Sequence, residues 1–284
     1  MTPRLSLTVL VDNNTLTDRF FTAEPGISFL LQTAGKKILF DTGYSGVFLA
    51  NAEKMGINLR DLDVVVLSHG HLDHTGGLVT LIRLLTEARI EDIAHQVPEL
   101  IAHPLCFCPK EKLPLQNNGS ILDEAEVRRQ FAVNLSRQPI WITNDLVFLG
   151  EIPRRFSFEQ TDPGKRRILL PDGRTEPDQL LDDSALVFRS GAGLVIITGC
   201  SHAGICNITE YASEVCGERR VVAIIGGLHL LTPSLSPHQK TGKYLQQLHL
   251  QALYACHCTS LSSKIALAGY CPVQEVGVGM KIEW

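Results

Sequence analysis

The feature that most constrains this chain is a run of seven residues, Ser68-His69-Gly70-His71-Leu72-Asp73-His74. The run follows a short stretch at residues 63–67 whose last four residues are all apolar, which is typical of a strand buried on both faces. Its three imidazoles and one carboxylate are ligand types that suit Zn, Fe or Mn. We therefore predict that a buried strand ends in a metal-binding loop.

The spacing within the run indicates more than one metal ion. His69 and His71 can converge on one ion from an extended segment, whereas Asp73 and His74 lie beyond the turn and can face a second. Gly70 lets the backbone bend tightly beside the cluster. We also predict a catalytic role for Asp73, which can handle a proton as well as bind metal.

Length and pattern favour one α/β domain over residues 1–284. The chain is 44% hydrophobic, and short apolar strands alternate with helical stretches without a repeat or a linker-like break in composition. We expect two mixed β-sheets flanked by helices, with an insertion around residues 104–180. In detail, we predict a helix from Thr75 to about residue 85, helices over 123–135 and 242–250, and a strand pair over 273–282.

Charge and composition limit the partners. The net charge is −4 and no block of basic residues occurs, so a general nucleic-acid surface is not indicated. No apolar run approaches the ~20 residues of a membrane span. We expect a cytoplasmic protein with a small-molecule substrate and eight mostly reduced cysteines; the sequence does not indicate the oligomeric state.

The predicted insertion carries three pairs of adjacent arginines: Arg128-Arg129, Arg154-Arg155 and Arg166-Arg167. Arginine is well suited to bidentate contacts with phosphate. Such pairs are more commonly plain solvated surface. Both interpretations are kept open here, so an anionic substrate and a neutral ester or lactone are both candidates.

Ser-His-Gly-His-Leu-Asp-His-Thr-Gly-Gly resembles the signature of the metallo-β-lactamase superfamily. The segment at Asp41 resembles the family's first motif, Gly199-Cys200 stands where most members have Gly-Asp, and His257 stands at the last His ligand. The resemblance implies an αββα sandwich with metals between the sheet edges. It implies that Asp41 supports the metal loop and that Cys200 and His257 are ligands.

The sequence also departs from the family pattern. No His occupies residues 182–185, where a further ligand is usual, and we predict His202 as a ligand or acid/base in its stead. His229, Asp183 and His103 are further candidates, whereas we expect His95, His238 and His249 at the surface. Several C-terminal segments resemble the subfamily of metal-dependent hydrolases related to archaeal 7,8-dihydropterin-6-methyl-4-(β-D-ribofuranosyl)aminobenzene-5′-phosphate synthase.

Two functions compete on this basis. The first is a hydrolase that uses a water activated by two divalent ions, with Zn favoured and Mn or Fe as alternatives. The second is a transferase that condenses a pterin diphosphate with an arylamine ribose phosphate, as the resemblance implies. Oxygen reduction by a di-iron centre is a third use of such a fold, but it normally needs a flavin domain, which we do not find in the sequence.

Overall fold

The computed structural model describes residues 5–114, 117–160, 162–231 and 235–284; for 235–237 it describes the backbone. The strands, numbered in chain order, are β1 (Leu5–Val11), β2 (Ser28–Thr33), β3 (Lys36–Phe40), β4 (Val64–Val66), β5 (Glu99–Ala102), β6 (Lys110–Lys112), β7 (Ala132–Leu135), β8 (Ile140–Trp141), β9 (Leu146–Phe148), β10 (Arg166–Leu169), β11 (Thr175–Pro177), β12 (Ala185–Ser190), β13 (Gly193–Thr198), β14 (Val221–Gly227), β15 (Ala252–Cys256) and β16 (Lys281–Glu283). The helices are α1 (Val47–Lys54), α2 (Leu72–Thr75), α3 (Leu78–Ile90), α4 (Glu124–Gln130), α5 (Ile205–Cys216), α6 (Leu235–Gln247) and α7 (Leu261–Ala268).

Internal contacts divide the chain into two compact units. Unit 1 comprises Met1–Ser136, Pro163–Asp182 and Gly277–Trp284, and unit 2 comprises Arg137–Asp162 and Asp183–Val276. The prediction of one domain over the whole chain stays a prediction.

Unit 1 is built on a seven-stranded mixed sheet with the strand order β16-β1-β2-β3-β4-β5-β7. β3, β4, β5 and β7 run parallel, and the other pairs are antiparallel. Leu39, Val65 and Leu100 from the parallel strands pack with Phe48 of α1 and Leu81 of α3, all fully buried. Burial of each such side chain stabilises the fold by about 1.5–3 kcal/mol. A separate three-stranded sheet, β11-β10-β6, lies in the predicted insertion.

Unit 2 is built on a six-stranded mixed sheet with the order β15-β14-β13-β12-β9-β8. β13, β14 and β15 are parallel neighbours. Ile196 and Ile224 from this sheet pack with Ile208 of α5, Leu245 of α6 and Leu267 of α7. These mixed sheets with flanking helices confirm the predicted fold class.

Polar residues follow the carboxyl ends of the parallel strands in both units. In unit 1 Asp41 follows β3, Ser68 and His69 lie just beyond β4, and His103 follows β5. Parallel neighbours end at the same sheet edge, so these side chains are gathered there. In unit 2 the same rule gathers the segments that carry Cys200, His229 and His257.

Two helix predictions around the sheet of unit 1 were wrong at their boundaries. Thr75 does not begin the long helix, because Leu72–Thr75 forms its own single turn and α3 begins at Leu78 with Gly77 as its cap. The predicted helix over 123–135 ends at Gln130. Residues Ala132–Leu135 instead pair with β5, because a strand position in the sheet overrides their helical pattern.

The C-terminal predictions also needed correction. The helix expected over 242–250 is α6, which begins earlier, at Leu235, and ends at Gln247. The expected strand pair over 273–282 is a single strand, β16, together with an isolated bridge between Leu253 and Val273.

No disulfide joins any of the eight cysteines, all of which lie in described segments. Among the helices within the described ranges, none has both the length and the apolar run that a bilayer crossing requires.

Candidate functional site

Asp41 ties the metal-motif loop of unit 1 to the end of β3. Its buried carboxylate accepts hydrogen bonds from the backbone N–H of Ser68 (2.7 Å) and the hydroxyl of Ser68 (2.6 Å). Its Oδ2 also lies 2.7 Å from Nδ1 of His74. With Nδ1 held by a carboxylate, His74 presents Nε2 as the atom for a metal. Asp41 has a left-handed φ of 56°, a conformation found at constrained functional positions.

His69 and His71 bring two ring nitrogens together on the same loop. Nδ1 of His69 lies 2.9 Å from the Ser68 hydroxyl, which leaves its Nε2 3.0 Å from Nδ1 of His71. When two imidazole nitrogens bind the same ion at about 2.1 Å each, they can lie this close to one another. Burial lowers the pKa of His71 to about 4, so its imidazole is neutral at pH 7, the form that binds metal.

Asp73 is a partly exposed member of the motif. Its side chain is 33% exposed, and Oδ2 lies 3.8 Å from Nε2 of the fully buried His74. The carboxylate therefore stands beside the donor atom of His74 and remains open to solvent or substrate.

A buried ion pair lies behind the loop. Nζ of Lys110 is 3.0 Å from Oδ2 of Asp182, and both side chains are fully buried. The same oxygen accepts a hydrogen bond from the N–H of Gly70 at 2.8 Å, and Lys110 also donates to the carbonyl of Leu105 at 2.7 Å. A Cβ on Gly70 would stand 1.9 Å from the carbonyl oxygen of Cys106, so only glycine fits there.

Neither Lys110 nor Asp182 was identified from the sequence. Asp182 stands in the segment where a His ligand is usual in the family, and Lys110 lies in the predicted insertion. Although burial raises the pKa of the Asp182 carboxyl, Lys110 and the N–H of Gly70 hold it below its ordinary value. His103 is also fully buried, and its Nδ1 accepts a hydrogen bond from the N–H of Leu105 at 3.1 Å.

Unit 2 gathers two overlapping sets of donor atoms around Cys200. One set is Cys200, His202 and His229, and the other is Cys200, His257 and Cys258; within each set the donor atoms lie within 4.8 Å of one another. The rings of His202 and His229 have centroids 4.2 Å apart. Cys200, His202 and His257 were predicted as ligands and His229 as a further candidate, and the fold of unit 2 brings all four together.

Three further observations refine the donor groups of unit 2. His229 and His257 both adopt left-handed φ, of 49° and 46°, directly beyond their strands. Nδ1 of His229 is buried and has no hydrogen-bond partner among the described residues. Asp183 uses Oδ2 to accept a hydrogen bond from the N–H of Ala203 at 2.9 Å, so this carboxylate holds the loop that follows Cys200.

Cys258 is the donor that sequence reasoning missed, although it adjoins His257. The N–H of His229 donates to its sulfur at 3.2 Å. Burial raises the pKa of the Cys258 thiol, but hydrogen bonding with Cys200 and His229 and the proximity of His257 hold it well below its ordinary value.

A pocket of about 310 Å³ opens within unit 2 beside these imidazoles. Apolar side chains of Phe158, Ile205 and Leu228 form much of its wall, together with His202 and His229. The volume is at the lower end of the range for small-molecule sites. The pocket is also lined by His238, which was expected at the surface but is buried, with Nε2 2.8 Å from the hydroxyl of Ser263.

Glu159 forms another part of the pocket wall. Its carboxylate oxygens accept hydrogen bonds from the N–H groups of Cys206 (2.8 Å) and Asn207 (2.9 Å) in the first turn of α5. This helix end is therefore already satisfied by an anion of the chain itself.

Three of the six arginines in the pairs of the insertion form ion pairs with glutamates at the surface. Arg128 pairs with Glu124, Arg129 with Glu126 and Arg155 with Glu214. These contacts favour the interpretation of the pairs as solvated surface.

The donor atoms fit divalent metal ions. In unit 1 a buried carboxylate orients His74 from behind, as in many metal sites, and His71 is neutral. In unit 2 thiol and imidazole donors lie together. Imidazole, carboxylate and thiolate are the ligand types that zinc accepts in proteins.

Comparison with known proteins agrees with this chemistry. The family model described as "Metallo-beta-lactamase superfamily" matches residues 22–98. A solved structure of a metal-dependent hydrolase of the β-lactamase superfamily superposes with a TM-score of 0.81 at 29% identity, covering 99% of both chains. A diphosphatase of the PhnP family shares the fold alone, with a TM-score of 0.53 at 17% identity and coverage of 99% and 98%.

Curated relatives come from Methanocaldococcus jannaschii. An uncharacterised protein is 28% identical over 92% of this chain and 93% of the relative. The 7,8-dihydropterin-6-methyl-4-(β-D-ribofuranosyl)-aminobenzene-5′-phosphate synthase is 31% identical over 86% of this chain and 84% of the relative. This extended identity, with the family match at the metal motif, shows that the chain belongs to the metallo-β-lactamase superfamily.

Proposed function

We propose that this chain is a metal-dependent hydrolase that acts on a small organic molecule. The observation that carries the proposal is the pocket of unit 2, in which His202 and His229 stand in one wall beside apolar side chains. A concave apolar site with a few convergent polar groups is the usual form of a small-molecule site.

The proposed metal ligands come from the donors of each unit. In unit 1 they are His69, His71, Asp73 and His74, and in unit 2 they are Cys200, His202 and His257. Asp41 supports the first group, and His229, Asp183 and His103 are further candidates. Two divalent ions, Zn²⁺ in preference to Mn²⁺ or Fe²⁺, would polarise a carbonyl or phosphoryl oxygen and lower the pKa of water.

The chain's own residues supply the proton transfers. The carboxylate of Asp73 is partly exposed and can accept a proton from a nucleophile. His202 lines the pocket, where its imidazole would either bind a metal or return a proton to a leaving group. Nδ1 of His229, which has no partner among the described residues, is available to orient the substrate.

The pocket favours a flat, largely apolar group on the substrate. Phe158 offers an aromatic ring, and Glu159 places a carboxylate rather than a cation in the wall. A phosphate group is supported by the name of the archaeal relative. Three of the six insertion arginines pair with glutamates, so these arginines add little support for a phosphate on the substrate. We therefore propose a small substrate with a planar group, phosphorylated or neutral, and no nucleic-acid partner, in a cytoplasmic protein.

A transferase is the second candidate. The observation in its favour is the 31% identity to a synthase whose product joins a pterin to an aminobenzene ribose phosphate. Such a reaction would use the same metal ligands while an arylamine, rather than water, displaces diphosphate. Both halves of that product contain a planar ring of the kind that the pocket favours.

One panel of reactions separates the two candidates. The metal-loaded chain would be incubated with aryl phosphoesters, a pterin diphosphate, and neutral esters and lactones, each with and without an arylamine. A hydrolase releases product without the amine, whereas a transferase releases diphosphate only when the amine is present. Failure of every substrate in both arms, with metal bound, would reject the proposed function.

A further inference from the structure

Cys258 stands in unit 2 where the family resemblance predicts no ligand. Its sulfur, the sulfur of Cys200 and a ring nitrogen of His257 lie within 4.8 Å of one another. Cys200 and Cys258 are both buried, with exposures of 3% and 9%. Two thiols and an imidazole are thus gathered beyond the carboxyl ends of the parallel strands β13 and β15, which flank β14 in the sheet.

The backbone around Cys258 is shaped to hold a sulfur atom. The N–H of His229 donates to Sγ at 3.2 Å. A Cβ on Gly227 would lie 2.5 Å from Sγ, so the absence of a side chain there makes the space that the sulfur occupies. These two features hold Sγ beside the sulfur of Cys200 and the imidazole of His257.

We propose that Cys258 is a metal ligand and that, with Cys200 and His257, it forms a site for a thiophilic divalent ion such as Zn²⁺. This inference rests on the proposed metal dependence and adds both a ligand and a preference among metals. Three protein donors leave a coordination position open, which is the pattern of catalytic rather than structural zinc. Thiolate ligands select Zn²⁺ over the hard ions Mg²⁺ and Mn²⁺.

The chain with Co²⁺ in place of the native ion provides the test. Thiolate-to-cobalt charge-transfer absorption is expected in the wild type. The Cys258→Ser variant should lose roughly half of it, because one of two thiolates is removed. The same variant should bind Zn²⁺ at least about 10-fold more weakly, since even the loss of an outer-shell partner has that effect. Its affinity for Mg²⁺ should stay within about twofold of the wild type.

A matched control is Cys271→Ser. Cys271 is as buried as Cys258, and its sulfur contacts the carbonyl of Leu267. It should leave both the absorption and the Zn²⁺ affinity unchanged. X-ray absorption on the zinc-loaded wild type gives a second reading that needs no variant: two sulfur ligands per chain are expected.

Each outcome decides the inference. An unchanged spectrum and Zn²⁺ affinity in Cys258→Ser, or fewer than two sulfur ligands per chain, would overturn it while the proposed function stands. A disulfide between Cys200 and Cys258 in the metal-loaded chain would also overturn it. A wild type that binds no divalent ion would overturn both the inference and the proposed function.

Discussion

Asp41 is the residue on which the geometry of the histidine loop depends most directly. One carboxylate receives the N–H and hydroxyl of Ser68 and the Nδ1 side of His74. All of these groups are buried, so no water can replace a lost partner at low cost. The direction in which His74 presents Nε2 therefore depends on Asp41, which directly follows β3.

Replacing Asp41 with Asn should weaken metal binding about 10- to 100-fold, because an amide cannot accept all three hydrogen bonds. Competition with a chromophoric chelator would measure the affinity. Asp63→Asn is the matched control: Asp63 precedes the amino end of β4 and accepts from the N–H of Lys37 at 2.7 Å. Equal affinities in the two variants would show that Asp41 does not orient the loop.

Asp73 tests the catalytic side of the same loop. Asp73→Asn should reduce turnover at least about 100-fold, the lower range for loss of a general base. Because the side chain is one-third exposed, the fold should be retained, as circular dichroism would show. Near-normal turnover in this variant would remove Asp73 from the mechanism.

Individual site residues could be predicted from the sequence where metal-binding residue types cluster along the chain. The histidine run and the motif at Asp41 could be identified because their order is distinctive. Lys110, Asp182 and Cys258 could not, since each acquires its role from a neighbour distant in sequence or from a backbone contact. A buried lysine looks the same as an exposed one in a single sequence.

Among the secondary-structure elements, helix α5 has the N–H groups of its first turn bound by a carboxylate from the insertion. Glu159, in a short 3-10 turn, accepts from the N–H groups of Cys206 and Asn207. A Cβ on Gly204 would lie 2.1 Å from the Glu159 carboxylate, so the glycine before the helix makes this approach possible. The pocket wall and the helix are thereby joined.

Glu159→Ala should destabilise the fold by about 1–3 kcal/mol, because two N–H groups at the helix start lose their acceptor. Urea unfolding would measure the difference. Glu214→Ala on the same helix removes only an exposed pair with Arg155, and it should change stability by less than about 1 kcal/mol. Similar losses in both variants would contradict the capping role of Glu159.

The small sheet formed by β6, β10 and β11 places Lys110 behind the metal loop. Lys110→Met should cost about 3–5 kcal/mol of stability, because Asp182 would remain buried without its cation. Lys37→Met, which breaks the partly exposed pair with Asp61, should cost at most about 1 kcal/mol. A loss in Lys110→Met as small as that of the control would show that the buried pair is dispensable.

Element types were predictable where hydrophobic pattern and environment agree. Residues 64–67 are apolar on both faces and contain the fully buried β4. The stretch over 123–135 has helical spacing, yet its second half joins the sheet beside β5. Pattern alone could not reveal this, because the stabilising partner is 33 residues earlier in the chain.

At the scale of the whole molecule, the two units follow the same plan. Each has a mixed sheet covered by helices, and each places metal-binding residue types beyond the carboxyl ends of parallel strands. The superfamily could be identified from motifs, because strand ends fix where ligands stand. The substrate could not be identified, because much of the pocket wall consists of leucine, isoleucine and phenylalanine, which are common in any core.

We propose that the metal-binding residues of the two units hold two divalent ions, and elemental analysis can count these ions. The purified chain would be stripped with a chelator, reconstituted with excess Zn²⁺ and freed of unbound ions before the metal content per chain is measured. We expect a plateau at two ions per chain in the wild type, and a lower plateau when His69 and His71 are both replaced by Ala. A plateau at one ion or none in the correctly folded wild type would contradict it.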